Sequence, residues 1–287
     1  MYLSNPVVTK VPCSINVLSS VTQSLSKCNF STNQPNHFLF SKKMPAKVSN
    51  SNGQSFQKVP TSNSNWKMGE TQKILSGKTL TFEPSVFSSS QLHQFLLGSF
   101  PRPACIISTI SPEGISNAAP YSFTNLVCSD PPTFSLTVFK NPDGSLKDTQ
   151  VNIDASNEFA VNLISDWFIE SAHASGMQCS PDVSEFEKIG FTPKPSTIIK
   201  SPLVAQSPVN YECKVSTRIP FINREGKETA ICYMGEIVKI HVNEQVYDAD
   251  KATFKYENLK ALVKLGGPLY AKINTVVDPT QPTSSSQ

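Results

Sequence analysis

Between Arg102 and Thr149 the chain gathers the side chains best suited to holding a small anion, in the run RPACIISTISPEGISNAAPYSFTNLVCSDPPTFSLTVFKNPDGSLKDT. Lys147 offers a positive charge there, while Asn117, Ser122, Thr124, Asn125 and Thr149 offer neutral hydrogen-bonding groups. A charge-assisted contact joined by several neutral donors is what a phosphate or carboxylate needs. Ser, Thr and Asn also populate turns and strand surfaces, so residue type alone leaves that structural role open for each of them.

Other familiar constellations are missing. Gly77-Lys78-Thr79 has the end of a phosphate-binding P-loop, but the glycine required five positions earlier is Gln72. The twelve glycines form no GxGxxG and there is no GxSxG, which counts against a Rossmann dinucleotide site and a nucleophile elbow. His37, His93, His173 and His241 share no metal or triad spacing, and His173 and His241 read as surface or half-buried structural residues. Glu185 and Glu187 fall two apart on a helix and so point to different faces. No catalytic acid–base residue and no metal site is predicted.

The elements that must position the Arg102–Thr149 residues follow from periodicity and turn chemistry. Lys78–Phe82 alternates like a strand, and Ser88–Ser90 supply N-cap hydroxyls to a short helix over Gln91–Leu97 that Gly98 is placed to end. Ala104–Ile110 reads as a buried strand, Ser-Pro-Glu-Gly at 111–114 as its turn, and Ile115–Phe123 as the return. Ser129-Asp130-Pro131-Pro132 reads as a rigid extended connection, since proline gives no ladder donor and disfavours helix before it. Thr133–Phe139 then alternates, with Phe134, Leu136 and Val138 on one face. Asn141–Gly144 turns the chain, Asp148 or Thr149 caps a short helix to about Ala155, and Glu158–Ile164 is the next strand.

Helices over Asp166–Met177 and Ser184–Ile189 precede two long strands, Val209–Ile219 and Ala230–Val242, with a polar turn at Asn223–Gly226. Strands joined by tight turns, with only short helices between them, predict a mainly β fold: a β-barrel with peripheral short helices.

Charge divides the 287-residue chain. Residues 1–69 hold seven lysines and no Asp or Glu, so against a whole-chain charge of +3 the remainder carries about −4. A basic tail with few aromatics on an acidic folded part argues against nucleic-acid binding. No apolar run approaches a membrane span, so the protein is expected to be soluble. Seven cysteines without a CxxC pair read as reduced thiols in a reducing, intracellular compartment. Residues 1–69 lack periodicity and are expected to be disordered, either as a plain extension of a cytoplasmic protein or as a plastid or mitochondrial transit peptide. The folded domain is expected over 70–277, with a flexible end over 278–287.

The Arg102–Thr149 run, followed in order by EFAVNLIS, SEFEKIGFT, SPVNYECK, GEIVKIHV and KLGGPLYA, resembles the flavin reductase-like family of FMN-binding split barrels, of the flavoredoxin type, over roughly residues 85–272. The resemblance implies an FMN-binding split barrel that acts as a homodimer and passes a hydride from NADH or NADPH to flavin N5. It implies phosphate contacts from Lys147 and Thr149 with Ser122 and Asn125 of the YSFTN stretch. It places Asn117 and Ala118 at the polar edge of the ring, and Arg102, Thr109, Phe123 and Asp148 nearby, Asp148 toward Lys147 or the ribityl hydroxyls rather than the phosphate. Two positions depart from the family pattern, Thr124 where a second aromatic is usual and Lys264 where Arg is common. The related pyridoxamine-phosphate oxidase type, a non-catalytic flavin electron carrier and a scaffold without cofactor stand as alternatives, and FAD in place of FMN is open.

Overall fold

The computed structural model of the chain describes residues 57–277 and 279. The expected tail therefore lies, up to residue 56, outside the described residues, as do Cys13, Cys28 and most of the C-terminal end. Inside the predicted tail, Gln57–Val59 forms a short strand paired in parallel with Thr275–Val277.

Seven antiparallel strands build the domain: β1 (Cys105–Ile110), β2 (Ser116–Tyr121), β3 (Thr124–Ser129), β4 (Pro132–Phe139), β5 (Glu158–Leu163), β6 (Val209–Ile222) and β7 (Glu228–Val242). Their order in the sheet is β2-β1-β5-β6-β7-β4-β3. The edge strands β2 and β3 are consecutive in the chain, joined through Ser122 and Phe123, so the curled sheet brings its two edges to one corner. No ladder joins those edges among the described residues, and the barrel stays split there.

Alternation decides which residues fill it. Ile107, Leu136, Val138, Phe159, Val161 and Tyr233 form the inner core with Ile153 from a helix, while the neighbouring Ala104, Ile106 and Ala118 face outward against Phe168, Ala172 and Phe186. Strand β1 is thus buried on both faces, its apolar start at Cys105–Ile107 followed by the buried hydroxyls of Ser108 and Thr109. Gly235 is glycine because of that core, since a Cβ there would stand 2.6 Å from Phe159 Cζ.

The described residues also form five α-helices: α1 (Ser89–Ser99), α2 (Asp148–Ser156), α3 (Ile169–Ala174), α4 (Glu185–Ile189) and the single turn α5 (Tyr256–Leu259). Several boundaries differ from expectation for identifiable reasons. Lys78–Phe82 is exposed and not a strand, because no neighbouring strand takes up its backbone groups. Gly98 lies within α1, which runs on to Ser99. Ser129–Pro132 is the tip of a tight β3–β4 hairpin, with Ser129 and Pro132 as register partners, rather than an extended spacer; proline is tolerated because it opens its strand. Thr124–Ser129, to which periodicity assigns no element, is the edge strand β3. The helix expected over Asp166–Met177 is a 3-10 turn at Asp166–Phe168 followed by α3, and the other expected strands hold in outline, including both long strands and the buried face of Phe134, Leu136 and Val138. The five described cysteines are free thiols.

Candidate functional site

Thr109 on β1 and Asn117 on β2 are register partners, and α2 packs over this pair. The Asn117 amide donates to Thr109 Oγ1 and Thr149 Oγ1, both at 3.1 Å, and Asn152 Nδ2 donates to Thr109 Oγ1 at 3.0 Å. All four residues are buried. Uncharged groups satisfy one another here without the desolvation cost of a buried ion, and they lock the start of α2 to the first hairpin. Asn152 was missed from sequence, although it lies one helical turn beyond Thr149 and shares its face.

The first intrahelical bond of α2 runs from Val151 N–H to Lys147 O, so the N–H groups of Asp148, Thr149 and Gln150 lie ahead of the helical ladder. The cap residue is Lys147, not Asp148 or Thr149. Thr149 cannot cap because its hydroxyl belongs to the Asn117 network, and Asp148 sits in the first helical turn, where the positive end of the helix favours an acid. Lys147 Nζ donates to Asn141 Oδ1 at 3.2 Å and makes no ion pair among the described residues. Burial raises the Asp148 carboxyl above its ordinary range, partly offset by Lys147.

Two buried polar atoms at this junction lack partners: Gln150 Oε1, and Tyr121 Oη, which lies beside Thr149 but meets nothing at hydrogen-bonding geometry. Burial pushes the Tyr121 hydroxyl well above the usual phenol range.

Arg102 organises the split corner. Its Nε donates to Ser122 Oγ at 3.2 Å, Nη1 to Leu97 O at 2.5 Å and Phe100 O at 2.9 Å, and Nη2 to Leu265 O at 3.0 Å. The guanidinium also stands 5.8 Å from the centre of the Phe123 ring. Through three bonds to carbonyls and one to the Ser122 hydroxyl, Arg102 holds the end of α1, the β2–β3 corner and the segment at Leu265 together. Thr124 is buried there, 3.7 Å from Cys105 Sγ.

A cavity of about 500 Å³ opens beside this corner, lined by Pro120, Tyr121 and Ser122 on one side and by His173, Lys264 and Tyr270 on the other. Gly176 borders it, where a Cβ would come to 3.1 Å from Pro120 Cγ. Lys264 Nζ lies 3.9 Å from the Tyr270 ring centre. Burial, then repulsion from Arg102, lowers the Lys264 ammonium pKa. His173 is exposed, as expected, but faces Tyr270 edge-on at 6.0 Å and so borders the cavity.

Glu185 is the second residue that sequence reasoning passed over. It is buried while Glu187 is exposed, as their spacing predicts, and its Oε2 accepts the Ala118 N–H at 3.4 Å. Burial raises its carboxyl, with Asp148 adding a smaller push in the same direction.

The ten predicted residues therefore fall into separate groups. Thr109, Asn117 and Thr149 come together, with Ala118 alongside; Lys147 and Asp148 stand at the mouth of α2; Arg102, Ser122 and Phe123 make the corner. Asn125 stands apart, exposed on β3 and bordering a different, apolar cavity with Leu126 and Phe254.

Residues 97–262 match the sequence model of the Flavin reductase like domain. The chain belongs to the flavin reductase-like family. This flavin reductase-like chain is 35% identical over 193 residues to the uncharacterized protein YwrF of Bacillus subtilis (strain 168), covering 67% of this chain and 94% of that protein. Among solved structures it is similar to nitrilotriacetate monooxygenase component B from Bacillus cereus, with a TM-score of 0.65 and 30% identity over 69% of this chain and 96% of that one. It is also similar to the 2-nitrobenzoate 2-nitroreductase NbaA of Pseudomonas fluorescens, with a TM-score of 0.64 and 30% identity over 72% and 99%. The expected split barrel of the flavin reductase-like family is thus the fold of this chain.

Proposed function

We propose that this chain is an FMN-binding oxidoreductase that uses NADH or NADPH, working as a homodimer. The observation that carries the reading is the mouth of α2. Lys147, whose ammonium makes no ion pair among the described residues, is the cap residue that precedes three backbone N–H groups ahead of the helical ladder, a donor set that suits a phosphate dianion. The unpartnered Tyr121 Oη and Gln150 Oε1 at the same junction fit a ligand with both donors and acceptors.

In this reading Lys147, the first-turn N–H groups and the Ser122 hydroxyl hold the phosphate. Thr109, Asn117 and Thr149 act as positioning residues, keeping the helix mouth fixed against the β1–β2 hairpin. Arg102 fixes Ser122 and Phe123 at the corner, and Pro120, Met177 and Tyr270 give the 500 Å³ cavity walls that exclude water. When bound, FMN supplies the hydride-accepting N5, so the chain needs to orient and shield rather than to provide an acid–base residue. The likeness to a monooxygenase component and a nitroreductase supports redox chemistry of this kind.

The test is the visible spectrum of the protein purified from its own cells, then flavin titration and NADH or NADPH oxidation. A yellow protein that oxidises either nucleotide with free FMN as acceptor is expected. A bound flavin that neither nucleotide reduces would favour the electron carrier, and a colourless protein that FMN does not stabilise would remove the reading.

A further inference from the structure

A separate cleft of about 680 Å³ lies between Trp167, the segment Ala205–Pro208 and residues from Asn243 to Lys260. We propose that it is a second ligand site, which binds a nucleoside phosphate with the base against Trp167 and the phosphates at Lys255 and Lys260. None of its lining residues belongs to the flavin site described above.

The indole comes first. Trp167 Nε1–H donates to Gln206 O at 3.1 Å, which fixes the ring, yet 48% of the residue stays exposed. An anchored aromatic surface left open in a concave site is a stacking platform for a flat heterocycle.

Charge gives the second half of the ligand. No Asp or Glu lines the cleft, and Lys255 and Lys260 make no ion pair among the described residues. Lys255 spends one donor on Glu244 O at 3.0 Å and keeps two. Asp248, an acid that feels Lys255, is engaged by Lys251 at 2.7 Å. Lys260 ends the short helix Tyr256–Leu259 in the left-handed conformation usual for such a cap, φ 45°, and its carbonyl accepts from Asp166 N–H at 3.1 Å, which fixes its backbone at the rim of the cleft.

Amide side chains supply the base-edge contacts. Gln245 has no side-chain hydrogen bond among the described residues, Asn258 uses its Nδ2 on Gln245 O at 2.7 Å but keeps Oδ1, and Asn243 keeps Nδ2. Free amide donors and acceptors beside an aromatic face match the hydrogen-bonding edge of a purine. The cleft volume is within the span of small-molecule sites, about 300–1,000 Å³.

One chemistry has two sources here, a free nucleotide or the adenosine end of a nicotinamide dinucleotide. The experiment uses full-length protein carrying Trp66→Phe, so that Trp167 is the reporting tryptophan, titrated with ADP. Saturable quenching is expected, with adenosine and inorganic phosphate each binding more weakly. Lys255→Ala with Lys260→Gly, glycine being suited to the left-handed position, is expected to weaken ADP about tenfold or more while flavin affinity stays unchanged and the thermal midpoint does not fall. A parallel rise in the NADH KM identifies the site as the seat of the dinucleotide's adenosine end, and an unchanged KM identifies a separate nucleotide; both uphold the site. Absence of quenching at millimolar ADP, unchanged ADP affinity in the double variant, or release of ADP by FMN overturns it. The ADP arms do not depend on the proposed oxidoreductase activity, so the two readings can fail independently.

Discussion

Two of the polar clusters buried among the described residues, the carboxylate of Glu212 with its partners and the hydroxyl–amide group around Asn117, differ in what they leave unsatisfied. Glu212 Oε1 accepts Thr197 N–H at 2.7 Å and lies 2.6 Å from His241 Nε2, while Oε2 accepts Ile198 N–H at 2.6 Å and Ile199 N–H at 3.0 Å. Every lone pair of a fully buried charge is occupied, and the carboxylate serves to fasten the 197–199 segment to β6. The Asn117 cluster is neutral and ends at two unpartnered atoms and the donors at the start of α2. A saturated cluster holds structure. An unsaturated one beside an unpaired ammonium has capacity for a ligand.

Breaking the saturated cluster has the largest expected effect. Glu212→Ala strands the buried Ile199 N–H, frees the part-buried N–H groups of Thr197 and Ile198 and takes the partner from His241, and is expected to cost about 3 kcal/mol in urea unfolding. Burial alone would raise the Glu212 pKa, but the bonds from Thr197, His241, Ile198 and Ile199 outweigh it and hold it at about 2, against an ordinary 4.5. Its stabilisation is therefore complete above pH 4.5 and is lost as the pH falls toward 2. Stability curves measured across that range should lose this component in Glu212→Gln.

Asn117→Ala comes next. It removes two hydrogen bonds and strands the hydroxyl of Thr149, so a loss of about 2 kcal/mol is expected, with flavin affinity falling too because the helix mouth is released. Lys147→Ala should separate the two properties, weakening FMN about tenfold in a titration with little change in the urea midpoint. Equal effects on stability and affinity from both variants would erase the distinction between the network and the binding group. The smallest change is expected outside both clusters. Ser88→Ala removes the capping box of α1, a helix with no buried residue, and should cost about 1 kcal/mol locally, seen as faster exchange of the Leu92 amide.

Legibility along the chain follows burial and charge. The two long strands, the Phe134–Val138 face and the Gly144 and Gly190 turns were readable because alternation and left-handed glycines are local properties. Strand β3 was not, since its exposed Leu126 and Val127 follow no alternation and only pairing with β4 makes it a strand. Within the site, Lys147, Asn117 and Thr149 stood out by residue type. Asn125 was drawn in by its neighbours in sequence, yet an edge strand turns it to another cavity. Glu185 was set aside because a helix parts it from Glu187, whereas its partner is a backbone N–H on β2, far away in sequence.

The sequence by itself determined that this chain is a mainly β protein of the flavin reductase-like family with an anion-suited stretch at 102–149. Residue type, period and turn chemistry are written locally and need no partner to be read. Only the tertiary structure decided which polar groups are already used and which remain free, because satisfaction depends on partners brought from distant segments. It turned Arg102 into a corner brace, closed Asn117 and Thr149 on each other, and left the mouth of α2 open.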